Sequence, residues 1–488
     1  MGLKAERAEL LIDGRLVAAT GGAVFETINP ATEEVLGVAA DAAAADMDAA
    51  IGAARRAFDE SGWATDPALR ARCIRQLREA MLGEADHLRA LTIAEVGAPH
   101  FLTTTAQLDA PVAEMGWVAD LAERYEWRQD LGEASPFGVQ SHRWLLREPV
   151  GVVGAITPWN FPHQINLAKV APALAAGNTV VLKPAPDTPW CATALARLIA
   201  EQTDIPAGVV NVITSSDHGV GAQLSSDPRV DLVSFTGSTV TGTKIMAAAA
   251  VTLKKVFLEL GGKSAFIALD DSDIAGAGAS AGFAACVHAG QGCAITTRLV
   301  VPRAKYDEAV EAAAATAAAI GVGDPTDPGT VCGPVISARQ RDRVESYLQI
   351  AKDEGGVFAS GGGRPADREH GFWIEPTIVA GLDNSARVAQ EEIFGPVLVV
   401  IPHDGDDDAV RIANDSPYGL SGAVQSADPE RAWAVARRVR SGTMSVNGGV
   451  WYGADVPFGG YKHSGVGREM GVAGFEEYLE TKVVSEGV

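Results

Sequence analysis

From Val150 onward the chain alternates short apolar, β-branched runs with helical stretches, and this alternation leaves few folds open. The runs VGVVGAIT, NTVVLKPA, GVVNVIT, VDLVSFTG and KKVFLELGG are interleaved with helical patterns over 163–176, 188–202 and 239–250. Strands that are apolar on both sides, each followed by a helix, build a parallel sheet covered on both faces. The expected fold class is therefore α/β, with a doubly wound sheet. A second alternation starts after Gly262, with SAFIAL, a helix over 272–288, a strand near 297–302 and a helix over 304–319. It continues through 332–425. Upstream, 39–58 and the stretch from Pro67 to about Val96 read as helices, the latter with Leu69, Ile74, Leu77 and Met81 at helical spacing. Residues 137–150 read as strand, and the N-terminal segment is expected to return to the first sheet.

At 488 residues the chain is too long for one core, and about two or three domains are expected. No internal repeat and no linker rich in Pro or Ser separates them, so they should pack closely. The net charge of −22 argues against nucleic acid, which needs a basic face, and against anionic membrane surfaces. The five cysteines, Cys73, Cys191, Cys286, Cys293 and Cys332, are odd in number and have no CxxC spacing. They suit a reducing compartment rather than a disulfide framework or zinc site. The N-terminus has no apolar signal region, no run is long enough to span a membrane, and Glu6 spoils a myristoylation signal at Gly2. A cytoplasmic protein is expected.

Three segments carry residues with chemical use. In LELGGKS, Glu259 closes an apolar strand and Gly261-Gly262 lets the chain turn; strand ends are where parallel α/β enzymes place reactive groups. Cys293 follows 34 residues later in GQGCAITTR, between Gly292 and Ala294, whose small side chains leave space beside the sulfur. A thiolate attacks an aldehyde carbonyl readily, although a cysteine taken alone is more often an inert core residue. In AITPWNFPHQINLAKVAPAL, Asn160 lies between Pro158 and Pro162. Its amide can either donate to an oxyanion or cap the following helix. In FTGSTVTG, with Gly237, Ser238 and Gly242, the helix start suits either a bound pyrophosphate or a plain turn with an N-cap.

Taken together, TPWNFP, FTGST, LELGGKS, GQGC, EEIFGPV (391–397) and PFGGYKHSG (457–465) stand in the order and spacing of one family. Over nearly its whole length the chain resembles the aldehyde dehydrogenase superfamily, in its NAD(P)-dependent, hydrolytic form. The resemblance implies a dinucleotide-binding domain (1–128 and 150–260), a catalytic domain (261–464) and a small β oligomerisation arm (129–149 and 465–488), assembled as a homodimer or homotetramer. It implies Cys293 as nucleophile, Glu259 as general base, Asn160 with the Cys293 N–H as oxyanion hole, and Lys169 near the active site. For the cofactor it implies Ile156, Thr157, Pro158 and Trp159 along the cleft, and Lys183 at the adenosine ribose near Ala185, Pro186, Asp187 and Gly221. Phe235, Thr236, Gly237 and Ser238 would lie by the pyrophosphate, with Leu260 and Gly261 next to them. Glu392 would hold the nicotinamide ribose beside Phe394, and Gln340 and Arg343 align with cofactor-contacting residues.

Some positions depart from the family pattern. Pro186 stands where a ribose-binding glutamate is common, followed by Asp187. A missing carboxylate loses a bond to NAD and a charge that repels the 2′-phosphate of NADP, so both cofactors stay open, with NAD favoured by the acidic neighbour. Ser215 and Asp217 occupy two usual glycine positions, while Gly221 keeps a third. Ala168 replaces a bulky aromatic, implying a wider pocket lined by Phe161, Ile165, Trp451, Tyr452 and Phe458, with His163 nearby. No Arg or Lys is among these positions, which favours a neutral apolar or aromatic aldehyde over a carboxylated one.

The expected reaction runs from a Cys293 thiohemiacetal to a thioester, which a water activated by Glu259 hydrolyses to the acid. No metal is implied, since HExxH and Cys/His ligand spacings are missing. Two rivals remain in view: transfer of the thioester to CoA, which needs no hydrolytic base, and a non-catalytic scaffold of the same fold.

Overall fold

The computed structural model describes residues 4–488; Gly2, considered above for acylation, lies outside them. The first sheet is built on five parallel strands in the order Lys255–Glu259, Leu232–Thr236, Val152–Ile156, Thr179–Lys183 and Val210–Val212. From the central Val152–Ile156 strand the chain winds outward to one side, then crosses back to Leu232–Thr236 and winds to the other. The winding therefore reverses between Val152–Ile156 and Leu232–Thr236, and the crevice at such a point is where doubly wound sheets take ligands. The N-terminal Leu10–Ile12 and Arg15–Val17 close one edge antiparallel, so this segment does return to the first sheet. Gly465–Val466 closes the other edge, beside Leu258 and Glu259, although those residues had been expected in the arm.

A second sheet of seven strands runs Val357–Ser360, Thr377–Ala380, Val397–His403, Thr296–Pro302, Ser264–Ala268, Gly422–Gln425 and Ser445–Val446. All its neighbours are parallel except the first pair. A third, antiparallel sheet joins Leu479–Gly487, Ser141–Pro149 and Arg128–Ala134.

Upstream elements differ in detail from the sequence reading. Residues Val35–Ala40 pair with Val24–Ile28 as a hairpin, and the helix expected from 39 begins at Ala44. The Ala-rich composition extended the helical pattern into a strand fixed by its partner. The helix expected over Pro67–Val96 is two, Pro67–Gly83 and Ala85–Val96, broken at Glu84 after the helix-weakening Gly83. At 137–150 the strand starts at Ser141, because Pro136–Gly138 is a tight turn with Phe137 at φ +55.

The helix Pro162–Ala176 matters most for function. Pro162 supplies its first residue with a preset φ, and Gly177 ends it in the left-handed region at φ +95. Almost the whole helix is buried, so the residues along it point into packed or ligand-facing space.

Candidate active site

Glu259 is the last residue of the Lys255–Glu259 strand, and Cys293 stands just before the Thr296–Pro302 strand of the second sheet. Between the two strands, Gly262 allows their close approach. A Cβ at Gly262 would lie 2.6 Å from the Cys293 carbonyl oxygen, so only glycine fits. The loop leading to Cys293 carries His288, Ala289 and Gly290 in succession at φ +52, +51 and +69. Two non-glycine residues there cost of order 1 kcal/mol each or more. Gln291 anchors the loop: its amide donates to the carbonyls of His288 (3.1 Å) and Pro334 (3.3 Å), and its oxygen accepts from Ile336 N (2.9 Å).

Asn160 is not the helix cap; that position is Phe161, and Asn160 is buried. Its Nδ2 donates to Gln291 O at 2.9 Å, which fixes the amide plane and leaves its second N–H for another acceptor. The Asn160 carbonyl in turn accepts from Gln107 Nε2 (2.7 Å) and contacts His288 Nε2 (2.8 Å). This anchoring favours the oxyanion reading over the capping one.

Glu259 is buried, at 1% exposed. Neither carboxylate oxygen has a well-formed hydrogen bond, the Gly460 amide approaching only loosely. Burial and then the nearby Glu469 carboxylate push its pKa well above the usual carboxylate range, while Lys169 and Arg468 oppose this. Lys169, fully buried, donates to Glu469 Oε1 at 3.0 Å and to Ser234 Oγ at 3.1 Å. The Cys293 thiol is also pushed well above its ordinary value, first by burial and then by Glu259, Glu392 and Glu469. These surroundings disfavour the ionised sulfur, so a nucleophilic role for Cys293 would need its proton to leave during attack.

Glu469 had no signal in the sequence, because GREMG matches no motif and its partner Lys169 is 300 residues away. Its effect on Glu259 is testable. Glu469→Gln removes the like charge that raises Glu259 and leaves Lys169 free to favour the ionised form. With Glu259 as the base implied by the family resemblance, the limb of kcat that rises with pH should move to lower pH. A pH–kcat profile with that limb unmoved would leave Glu469 a packing residue only.

Two cavities meet at Cys293 and Asn160. One, of about 860 Å³, is lined by Phe161, Ile165, Trp451, Tyr452 and Phe458 together with Glu259 and Glu469. Trp451 stacks on Phe458 at 5.2 Å, and Phe161 meets the His288 ring edge-on. Neither Lys nor Arg lines it among the described residues. His163, expected nearby, is buried with both ring nitrogens unbonded and a pKa lowered by burial to about 4, so it stays neutral. Cys286 is packed in an apolar cluster.

The other cavity, of about 1380 Å³, opens at the sheet's winding reversal. Pro158, Trp159, Thr236, Gly237, Ser238, Leu260, Gly261, Gln340, Arg343, Glu392 and Phe394 line it, joined by Arg339 and Tyr418, which sequence reasoning missed. Ile156, Thr157, Lys183, Ala185, Pro186, Asp187, Gly221 and Phe235 lie outside this lining. Of these, Ile156 pairs with Lys183 and Phe235 at the strand ends, and Gly221 packs on the Lys183 side chain.

Ser238 caps the helix Thr239–Ala249 through Thr241 N, so the N-cap reading holds while the same residue faces the cleft. Gln340 and Arg343 mainly hold the 392–394 loop, through bonds to the carbonyls of Glu392, Ile393 and Phe394. Phe394, at φ +62, meets Trp159 edge-on at 5.4 Å.

The residues suit a dinucleotide. The Thr236 hydroxyl is buried without a partner at the cleft wall. A Cβ at Gly261 would sit 2.4 Å from Glu392 Oε2, so glycine lets that carboxylate reach the cleft, where Oε1 accepts from Gly262 N at 2.8 Å. Lys183 is nearly buried, with a pKa lowered to about 8 by burial, against which Asp187 acts first among the charges.

A sequence profile of the aldehyde dehydrogenase family matches residues 16–484. The chain is 42% identical over 479 residues to a 3-succinoylsemialdehyde-pyridine dehydrogenase of a Pseudomonas species, covering 98% of each chain. It is similar to the crystal structure of betaine aldehyde dehydrogenase from Staphylococcus aureus in complex with NAD+, at 36% identity and a TM-score of 0.95, covering 99% of this chain and 96% of that one. A mutant of aldehyde dehydrogenase C from Pseudomonas syringae, solved with NAD+ and octanal, is 40% identical with a TM-score of 0.93, covering 98% of each. The chain belongs to the aldehyde dehydrogenase family.

Proposed function

We propose that this chain oxidises neutral apolar or aromatic aldehydes to carboxylic acids with NAD+. The observation that carries the reading is the position of Cys293, the one cysteine not fully buried, where the apolar cavity and the dinucleotide cleft meet. NAD+ is favoured over NADP by the Asp187 charge beside Lys183, and it accompanies the related solved structures.

The carbonyl carbon is attacked by Cys293 Sγ as its proton passes to a base, and of the two carboxylates in the same cavity Glu469 is held by Lys169 while Glu259 is not. The negative carbonyl oxygen is held by the second Asn160 N–H and the Cys293 backbone N–H. NAD+, when bound, supplies the acceptor for the hydride that leaves this carbon, with Glu392, Gly237 and Ser238 to hold the dinucleotide. The sulfur then carries a thioester. Glu259 takes a proton from water, whose oxygen adds to the thioester carbon, and the C–S bond breaks to release the acid and free Cys293. Burial raises the basicity of Glu259, the direction this role requires.

We assign the first sheet to dinucleotide binding, the second to catalysis, and the antiparallel sheet to an arm joining two or four copies. Exposed Leu131, Phe137, Val139 and Val483 on that arm support the assembly. Among the described residues no helix is long and apolar enough to cross a membrane. Five unpaired cysteines suit a reducing, cytoplasmic setting.

Initial rates of reduced-cofactor formation test the reading, with benzaldehyde, hexanal and succinic semialdehyde, in the absence of CoA. Benzaldehyde or hexanal should turn over with NAD+ at least about tenfold more efficiently than with NADP, and succinic semialdehyde should be the poorest. Turnover that waits for CoA would transfer the thioester step to an acylating enzyme. Failure under every condition would favour the scaffold.

A further inference from the structure

A separate, narrow cavity is lined by Lys263, Arg298, Tyr418, Ser421 and Arg440. It shares Tyr418 with the dinucleotide cleft and holds neither Cys293 nor Glu259. Lys263 lies in the short link between the Lys255–Glu259 and Ser264–Ala268 strands, and so between the two large sheets. Its Nζ is buried without a hydrogen-bond partner. A buried ammonium in that condition is costly, and such groups are ordinarily paired.

The neighbours of Lys263 add positive charge rather than cancel it. Arg298, also buried, donates only to neutral acceptors: Asn384 Oδ1 and the carbonyls of Lys263, Ile412 and Ala413. Lys462, close enough to feel Arg440 and Arg298, donates to the carbonyls of Asn414 at 2.9 Å and Ser416 at 2.8 Å. Arg440 walls the cavity as an exposed residue. Among the described residues none of these four cations forms a salt bridge. The carboxylates that act on them from farther off are already engaged. Asp415, which acts on Arg298 and Lys462, accepts from Asn384 Nδ2 at 3.0 Å. Glu392 and Glu391, which act on Lys263, are bonded to Gly262 N and to Arg387. In a chain of net charge −22, this convergence leaves a place for a counter-ion that the chain itself does not supply.

We infer that this cavity binds a halide-sized inorganic anion, such as chloride, between Lys263 Nζ and the Arg440 guanidinium. The enclosed space takes about one water-sized group, which suits a halide and excludes sulfate or a carboxylate. A water would satisfy the Lys263 donors but leave the charge uncompensated, whereas an anion does both. Burial and then Arg298 lower the Lys263 pKa to about 7, and an anion on Nζ holds the charged form. Because Lys263 links the two sheets, the bound ion stabilises their junction. The inference does not depend on the aldehyde-oxidation reading.

Two measurements on the full chain test the site. Crystals grown in sodium bromide should show an anomalous scattering peak at hydrogen-bonding distance from Lys263 Nζ. In solution, the thermal midpoint followed by tryptophan fluorescence should rise by about 2 °C or more from sodium gluconate to sodium chloride at equal ionic strength. Lys263→Met, similar in length and uncharged, should abolish both the peak and the rise. If that variant does not fold, Arg440→Gln decides, since Arg440 is exposed. It should increase the chloride concentration that gives half the rise by about threefold or more. Equal midpoints in gluconate and chloride overturn the proposal. So does a water in place of the bromide peak, or a chloride response that persists unchanged in the variants, which would mark a general salt effect.

Discussion

Cys293→Ala should lower aldehyde oxidation by at least about 10⁴-fold while NAD+ binding, followed by quenching of protein fluorescence, stays unchanged. In the proposed mechanism the sulfur is the atom that bonds to carbon, and Cys293 is the one thiol among the cavity's lining residues. The same residue should dominate alkylation. Cys73, Cys191, Cys286 and Cys332 are all buried. Burial raises Cys73 to about 11 and Cys286 to about 12, and lifts Cys191 and Cys332 well above the usual thiol range. Iodoacetamide should therefore add one equivalent per chain to the native protein and none to the alanine variant. Its rate should rise with pH, because burial and the neighbouring carboxylates disfavour the ionised Cys293. Several equivalents added at similar rates would show that Cys293 is not the accessible sulfur.

Glu259→Gln should separate the two halves of the reaction. Thioester formation releases one reduced cofactor per site, whereas the next turnover needs a base to activate water. Rapid mixing with excess aldehyde should give a burst approaching one equivalent per site, followed by a steady rate reduced about 10²- to 10³-fold. The acyl group should remain on Cys293 long enough for detection by intact mass. If the burst itself vanishes, Glu259 is also the acceptor of the Cys293 proton, and the two halves share one base. If neither phase changes, another group activates the water. Glutamine is close in volume to glutamate, and neither carboxylate oxygen has a well-formed bond to lose, so folding should survive the change.

Much of the fold was legible because buried strands and amphipathic helices write their periods into the chain. The strands Val152–Ile156, Thr179–Lys183 and Leu232–Thr236 fall inside the apolar runs recognised in the sequence. Errors occurred where local composition and tertiary pairing disagreed, as at Ala39 and Ala40, whose helical preference yields to the partner strand Val24–Ile28. Among site residues, those inside contiguous motifs, Asn160, Glu259 and Cys293, were readable. Glu469 and Gln107 were not, because each acts on a partner brought near only by folding, and Arg339 was not, because only the fold brings it to the cleft.

Strand and helix periods and local turn chemistry are properties of short segments, so the class of fold and the candidate reactive groups could be read along the chain. The surroundings that bias the ionisation of those groups, and the shape of the space around them, come from the folded chain. Burial, the approach of Glu469 to Glu259, and the meeting of two cavities at Cys293 arise from contacts between distant segments. Desolvation, like-charge proximity and packing density depend on position in three dimensions rather than on order along the chain.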